Sequence, residues 1–523
     1  MHKALAMGAA LFGLVLLPPM AAIAAELPPV STASGQLQGA LSQDGSTASW
    51  KGIPYAAPPV GALRWREPQP VSAWQGVRPA TQFGAGCMQK EVTGPRLPWT
   101  LEYLHTGSMS EDCLTLNAWA PAGGSKLPVI VFFHGGGFTE GSGSIPVYDG
   151  ENISHQGVVF VTVNYRLGVF GLLAHPALSA ESGSSGNYAL YDQIAALRWI
   201  KENVAALGGD PGNVTIMGQS AGAQAVMVLN ASPLAKGLYQ RAIMDSAPGT
   251  TITNYPARPT EMVGLPRAEA EKIGADWAHD AGFNDLAALR SASAADINRL
   301  SVDKQPIRGP VIDGRLLPDR VSAIYLRHAQ NDVPILAGTN RDERGSEKDY
   351  GSWGVDQLRQ YGARSYPLQT DVFNALYGAS SDDEAHEVQR TLMRDERRFG
   401  LAWLANMRAS TGDSPNYLYF FNRPTPWPQY PQYGAFHSSE LPYVFGNQAR
   451  LDRPWTSLDT ELSKAMSAYW VNFARTGNPN GDGLPAWDAF NGTNQRLLEL
   501  GPETRMVEVI APNKAVLLAE KQF

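Results

Sequence analysis

Gly218-Gln219-Ser220-Ala221-Gly222 fits G-x-S-x-G, a spacing that can turn a serine into a nucleophile. An apolar segment, Val214 to Met217, comes just before it, and a small-residue helical pattern from Ala221 to Leu229 comes just after. A sharp turn between strand and helix would hold the serine in a strained backbone conformation and lift its hydroxyl above the sheet edge. Glycines at 218 and 222 would let strand and helix approach closely. An incidental turn serine is the alternative, and the flanking strand and helix weigh against it. A serine hydroxyl is a weak nucleophile near neutrality, so a base must take its proton and an acid must orient that base.

Four histidines follow Ser220. His279, His328 and His386 lie in polar stretches that suit a solvated surface, whereas His437 sits in the loop Gly434 to Pro442 among small residues that would let its ring face a cleft. His437 is the favoured base. For the acid, Asp342 and Glu343 follow the apolar run Val333 to Ala337 and the turn Gly338-Thr339-Asn340, while Asp313 is a rival that suits a turn equally well. Residue chemistry alone leaves that choice open. His134-Gly135-Gly136-Gly137-Phe138 directly follows the strand-like Val129 to Phe133, and its glycines let backbone N–H groups converge on a developing oxyanion. A phosphate loop would need a Gly-Lys-Ser/Thr ending or a G-x-G-x-x-G opening a helix, and neither is present. The histidines show no H-E-x-x-H spacing, so neither metal nor cofactor is expected.

These residues need a frame. Val129 to Phe133, Val158 to Val163, Val214 to Met217, Arg241 to Met244, Val333 to Ala337 and Tyr417 to Phe421 read as strands buried on both faces. Ile194, Leu197, Ile200, Val204 and Leu207 fall at helical steps, and Gly208-Gly209-Asp210-Pro211 ends that pattern. The alternation predicts an α/β layer structure around a mostly parallel sheet. Residues 264–300 read as helical, either packing helices or a lid. Of the 523 residues 17% are charged, a low share that suits a large buried interior, and no run of Lys or Arg offers a nucleic-acid footprint.

Residues 1–25 differ from the rest: a short positive end, an apolar run from Ala4 to Leu17, then Ala22-Ile23-Ala24-Ala25. The run is shorter than the ~20 residues a spanning helix needs, so it reads as a cleaved signal peptide. Residues 26–523 are then expected to form a single catalytic domain outside the cytoplasm, with no membrane span. Cys87 and Cys113 are the two cysteines, and in an oxidising compartment they read as one disulfide. Asn152, Asn213, Asn230 and Asn491 each begin an N-x-Ser/Thr sequon.

The chain resembles the type-B carboxylesterase family, which includes the cholinesterases and bacterial para-nitrobenzyl esterases. The resemblance rests on Gly52-Ile53-Pro54-Tyr55-Ala56, Glu111-Asp112-Cys113-Leu114-Thr115-Leu116-Asn117, Asn164-Tyr165-Arg166-Leu167-Gly168, Gly208-Gly209-Asp210-Pro211 and the serine motif. It implies the α/β-hydrolase fold, with large loop and helical insertions over the site, and the hydrolysis of small-molecule esters, without a cofactor, through an acyl-enzyme on Ser220. It implies Glu343 as the acid and supports His437, which lies in F-H-x-x-E-L-P. It further implies an oxyanion hole from the N–H groups of Gly136, Gly137 and Ala221, pairing of Cys113 with Cys87, and structural ion pairs Arg64–Glu111 and Arg166–Asp192. Small to medium or aryl esters are the expected substrates. A catalytically silent binding protein, or a lipase or polyesterase of the same fold, are the alternatives.

This chain departs from the family pattern at three places. Gln219 stands where many members have Glu, which disfavours cationic, choline-type substrates. Arg344 intervenes between the acid and Gly345, and is expected to point to solvent. Ser246 is followed by Ala247 rather than Gly. Trp427, in a Pro-rich loop, is expected to be packing rather than cleft lining.

Overall fold

Alternation along the central strands divides their side chains between two cores. The computed structural model describes residues 27–247 and 264–520, so the leader reading for residues 1–25 lies outside the described residues. The strands used here are β1 (Ala40–Leu41), β2 (Thr47–Pro54), β3 (Thr115–Pro121), β4 (Leu127–Phe133), β5 (Val159–Val163), β6 (Gly209–Gln219), β7 (Arg241–Asp245), β8 (Ile335–Asn340), β9 (Asn416–Phe421), β10 (Arg496–Leu500) and β11 (Arg505–Glu508). They form one sheet of spatial order β11-β10-β9-β8-β7-β6-β4-β5-β3-β2-β1. Pairing is parallel from β5 through β4, β6, β7, β8 and β9 to β10, and antiparallel at both margins.

Val129, Val131 and Phe133 of β4 enter one core while Ile130 and Phe132 enter the other, as a period of two requires. Helices α1 (Tyr188–Asn203) and α2 (Ala221–Ala231) cover the first face. Helix α3 (Asp382–Thr411), capped by Ser381, packs Leu401, Ala402, Leu404 and Ala405 on that side too. Helix α4 (Ser457–Thr476) covers the second face with Met466, Tyr469, Trp470 and Phe473. The helical pattern ending at Leu207 is an α-helix to Asn203 and a tighter 3₁₀ turn from Val204 to Leu207, closed by Gly208 at φ 88°. The following strand starts at Gly209, earlier than its apolar pattern suggests, and bulges before Val214 rejoins the register with β4.

Residues 264–300 are packing helices rather than a lid. Ala278, Leu289 and Ile297 are buried against Trp65, Val169, Phe170 and Leu173 in a third core. Cys87 and Cys113 form a disulfide across a sequence separation of 26. Replacing both with serine should cost about 3 kcal/mol, the chain entropy returned to the unfolded state by opening such a loop. A lowered urea midpoint with an unchanged folded-state circular dichroism spectrum would register that loss.

Candidate active site

The parallel strands end on one edge of the sheet, and the site is built there. Ser220 joins β6 to α2 with φ 57° and ψ −123°, a conformation that non-glycine residues rarely adopt. The turn is tight enough to exclude side chains at positions 218 and 222, two residues before and after the serine. A Cβ on Gly218 would lie 2.2 Å from the carbonyl carbon of Gly222, and one on Gly222 would lie 1.9 Å from the Phe133 carbonyl oxygen. The entirely buried small-residue start of α2 therefore lets the helix seat directly beside β4.

Across the edge, β8 ends at Asn340 and delivers Glu343, while the loop after β9 delivers His437. His437 Nδ1 is 2.5 Å from Glu343 Oε2. The other Glu343 oxygen accepts from Thr339 Oγ1 at 2.8 Å and from the Asn340 N–H at 2.7 Å. Burial would raise the Glu343 pKa, but the adjacent His437, the charge of Arg397 and these donors hold it down at about 2. For His437, burial disfavours the cation, and the Glu343 carboxylate with more distant Glu440 outweighs it, leaving the imidazole pKa raised. The two loops are tied to each other independently of that pair. The Asp342 N–H donates to Ala435 O at 3.0 Å, the Ala435 N–H returns to Asp342 Oδ2 at 3.0 Å, and Asn340 Nδ2 donates to Phe436 O at 2.8 Å.

Geometry separates the candidate acids. Glu343 is the carboxylate that meets the histidine. Asp342 instead accepts from Tyr350 and Arg394 at 2.7 and 2.6 Å, and Asp313 caps its own turn through the N–H groups of Arg315 and Leu317. His279 and His328 are exposed and His386 is half-buried on α3. Arg344 bonds Glu347 at 2.5 Å and lies near Asp349 at 3.7 Å. The Arg453 guanidinium lies over the Trp427 ring at 3.6 Å, and Tyr430 meets that ring edge-on with centroids 4.7 Å apart. Ser246 is buried with its hydroxyl unpartnered among the described residues. The implied scaffold pairs are both present, Arg64–Glu111 at 2.6 Å and Arg166–Asp192 at 2.7 Å.

Gly136 and Gly137 have φ of 100° and 62°, and a Cβ on Gly136 would fall 2.1 Å from Glu140 O. Together with the first N–H of α2, at Ala221, their N–H groups donate to no backbone carbonyl among the described residues. His134 stacks on Tyr165 with centroids 4.4 Å apart, and burial lowers its pKa to about 4, so it is a neutral support for the glycine loop.

A cavity of about 340 Å³ contains Ser220, His437, Gln219 and the glycine loop, walled by Trp99, Tyr103, Leu104, Ile145 and Tyr148. The Arg96–Glu140 ion pair, 2.6 Å long, lies on its lining. Sequence reasoning missed most of this wall. Trp99, from the disulfide-closed loop, donates to His437 O at 3.2 Å, a contact across 338 positions that no local pattern announces. It also gave no role to Glu440, although that residue lies within the quoted histidine motif, or to Asp245.

Gln219 touches the site directly, with its Nε2 3.3 Å from His437 Nε2. An amide NH₂ can only donate, so this contact suits a neutral imidazole with its proton on Nδ1, toward Glu343. Ser220 Oγ makes no hydrogen bond to another described residue. Among the described residues no helix is long and apolar enough to cross a membrane, and no cluster of side chains suits a metal ion.

The model of the carboxylesterase family matches residues 26–517. Para-nitrobenzyl esterase of Bacillus subtilis (strain 168) is 36% identical over 91% of this chain and 95% of its own length. Fumonisin B1 esterase of Sphingopyxis macrogoltabida is 34% identical over 92% and 88%. A solved para-nitrobenzyl (PNB) esterase superposes with a TM-score of 0.75 and 32% identity, covering 94% of this chain and 99% of the other. The chain therefore belongs to the carboxylesterase family: it has the α/β-hydrolase fold and is a carboxylic ester hydrolase.

Proposed function

We infer that this esterase works through an acyl-enzyme on Ser220, with His437 as general base and acid, Glu343 as its orienting carboxylate, and the N–H groups of Gly136, Gly137 and Ala221 as the oxyanion hole. The observation that carries this reading is the strained Ser220 sharing one cavity with the glycine loop and with His437, whose Nδ1 meets Glu343 behind it. His437 Nε2 takes the Ser220 proton as Oγ bonds to the ester carbonyl carbon, and the carbonyl electrons move onto the oxyanion. Collapse expels the alcohol, which leaves with the proton from His437. Water, deprotonated by the same imidazole, then attacks the acyl-serine, frees the carboxylic acid and restores Ser220. Glu343 stays ionised throughout and stabilises the imidazolium.

A cavity near 340 Å³ is at the small end for organic ligands, and its aromatic wall suits small to medium or aryl esters. The leader pattern of residues 1–25 and the disulfide support a secreted chain in an oxidising compartment. Para-nitrobenzyl and para-nitrophenyl esters of increasing acyl length are the direct test. Expected are fastest turnover on short acyl chains and, by intact mass after rapid quench, one acyl group on a peptide containing Ser220. Preference for long chains would favour a lipase. A folded protein that cleaves none of these esters and takes up no acyl group would overturn the reading.

A further inference from the structure

Gln89 reaches the glycine loop from another part of the chain. It lies two residues past Cys87, on the segment that the Cys87–Cys113 disulfide closes, and it is 3% exposed. Its Oε1 accepts the Gly141 N–H at 2.8 Å, and its Nε2 donates to Gly141 O at 2.9 Å and to Cys87 O at 3.0 Å. A primary amide carries a donor and an acceptor side by side, so it completes both main-chain hydrogen bonds of one residue, as a neighbouring strand would. The Gln89 main chain is fixed in turn. Asn298, on the helix Ala294–Ser301 that packs in the third core, donates from Nδ2 to Gln89 O at 2.9 Å.

Gly141 closes the turn that begins at Gly135. With φ of 115° its main chain comes so near that a Cβ there would lie 2.8 Å from Gly135 O and against the His134 ring. His134 Nδ1 donates to that same Gly135 O at 2.8 Å. Inside the turn the N–H groups of Thr139 and Glu140 both donate to Gly136 O, at 3.0 and 3.1 Å. Gly136 and Gly137 are thus suspended between two anchored glycines. Glycine has little conformational preference of its own, so the directions of their N–H groups depend on what holds those anchors. A second tie to the disulfide segment, Arg96–Glu140, is 45% and 31% exposed, and an ion pair so open to water contributes little.

We propose that Gln89 is a positioning residue for ester hydrolysis: by holding both main-chain groups of Gly141 it fixes where the N–H groups of Gly136 and Gly137 point. The proposal rests on the reading of those N–H groups as the oxyanion hole. Donors set in place beforehand need no reorganisation as charge develops, and removing one costs about 10²–10³-fold in kcat. Without Gln89 the donors remain but their directions spread, so the loss belongs at the lower end of that range.

Gln89→Met fills the same volume and leaves the N–H and carbonyl of Gly141 without their partner. On a short aryl ester its kcat/KM should fall about 10²-fold. Affinity for a trifluoromethyl ketone, which adds to Ser220 and places an oxyanion in the hole, should fall by the same factor. Affinity for the methyl ketone of the same shape, bound without addition, should hold. Where Gln89→Met does not fold, Gln89→Glu carries the same test, since it keeps the acceptor for the Gly141 N–H and sets a carboxylate oxygen against Gly141 O. Lower thermal stability with wild-type affinity for the trifluoromethyl ketone, counted per folded molecule, would reduce Gln89 to a structural role and overturn the proposal.

Hydrogen exchange separates the hold on the loop from the oxyanion reading, because it needs no turnover. The Thr139 and Glu140 amides, two bonds away from the altered contact, should exchange about tenfold faster in the variant. Unchanged exchange there refutes the hold itself, whatever the kinetics show. Faster exchange with undiminished ester hydrolysis would instead overturn the reading of Gly136 and Gly137 as the oxyanion hole.

Discussion

Replacing Ser220 with alanine is expected to lower kcat/KM for a short aryl ester by about 10⁵-fold, leaving a residue of catalysis from the oxyanion hole and binding alone. The substitution deletes one oxygen that bonds to no other described group, so the fold should be untouched. Alanine is as strained as serine at φ 57°, and the flanking Gly218 and Gly222 still dictate that conformation. His437→Ala should cost a similar factor, because a serine without its base keeps its proton. The double variant should be no worse than either single one, since the proposed nucleophile and base act in one step and neither contributes without the other. Kinetics on all three variants, with active protein counted by circular dichroism rather than by titration of the nucleophile, checks this. Losses that multiply in the double variant would mean that Ser220 and His437 act in separate steps, and residual turnover within tenfold of wild type in Ser220→Ala would place the nucleophile elsewhere.

How much of this was legible beforehand follows from how local each feature is. The serine turn and the glycine loop are contiguous, and the steric needs of a sharp turn are written in Gly218, Gly222, Gly136 and Gly137 themselves. The strands buried on both faces were legible because the apolar runs in β4, β5 and β9 have few competing readings. The antiparallel margin was not, since β2 and β3 are stabilised by pairing with each other across more than 60 residues of chain. Choosing Glu343 over Asp342 and Asp313 required either the family resemblance or coordinates. All three are acids near turns, and what distinguishes them is the partner each one meets.

The same logic explains why the supporting residues were invisible. Asp245 is one more residue at the end of a strand until Tyr419 is seen across two strand spacings, and Trp99 is one more tryptophan until its indole reaches His437 O. A site assembled at the edge of a parallel sheet draws its parts from the ends of several strands, and chain distance carries no record of that convergence. Gln219 is the intermediate case. Its departure from the family pattern was visible, but its meaning comes from the 3.3 Å contact with His437 Nε2, which brings a neutral donor to the imidazole.

Asp192→Ala should destabilise the protein by about 3–5 kcal/mol, the usual cost of leaving one member of a buried ion pair alone. The Asp192 carboxylate receives Arg166 Nε at 2.8 Å, Nη2 at 2.7 Å and the Arg166 main-chain N–H at 3.0 Å, with both side chains at most 4% exposed. Among the described residues the guanidinium then keeps the Tyr188 ring, 5.2 Å away, and Arg166 Nη1 already lacks a hydrogen-bond partner there. The damage should also reach the site, because the neighbouring residues hold the glycine loop. Tyr165 donates to His134 O at 2.6 Å, Asn164 Oδ1 accepts the Gly143 N–H at 2.8 Å, and the Gly168 N–H donates to Phe138 O at 2.7 Å. Chemical denaturation paired with kcat measured on the folded fraction reads both effects. The informative control is Arg166→Met with Asp192→Leu, which removes both charges and keeps the volume filled. It should recover most of the lost stability, since desolvating the pair offsets much of its attraction, and it should restore kcat only so far as the main chain at 164–168 returns to place. If the double variant is as unstable as Asp192→Ala, the contribution lies in the hydrogen bond to the Arg166 backbone rather than in the burial of an unpaired cation.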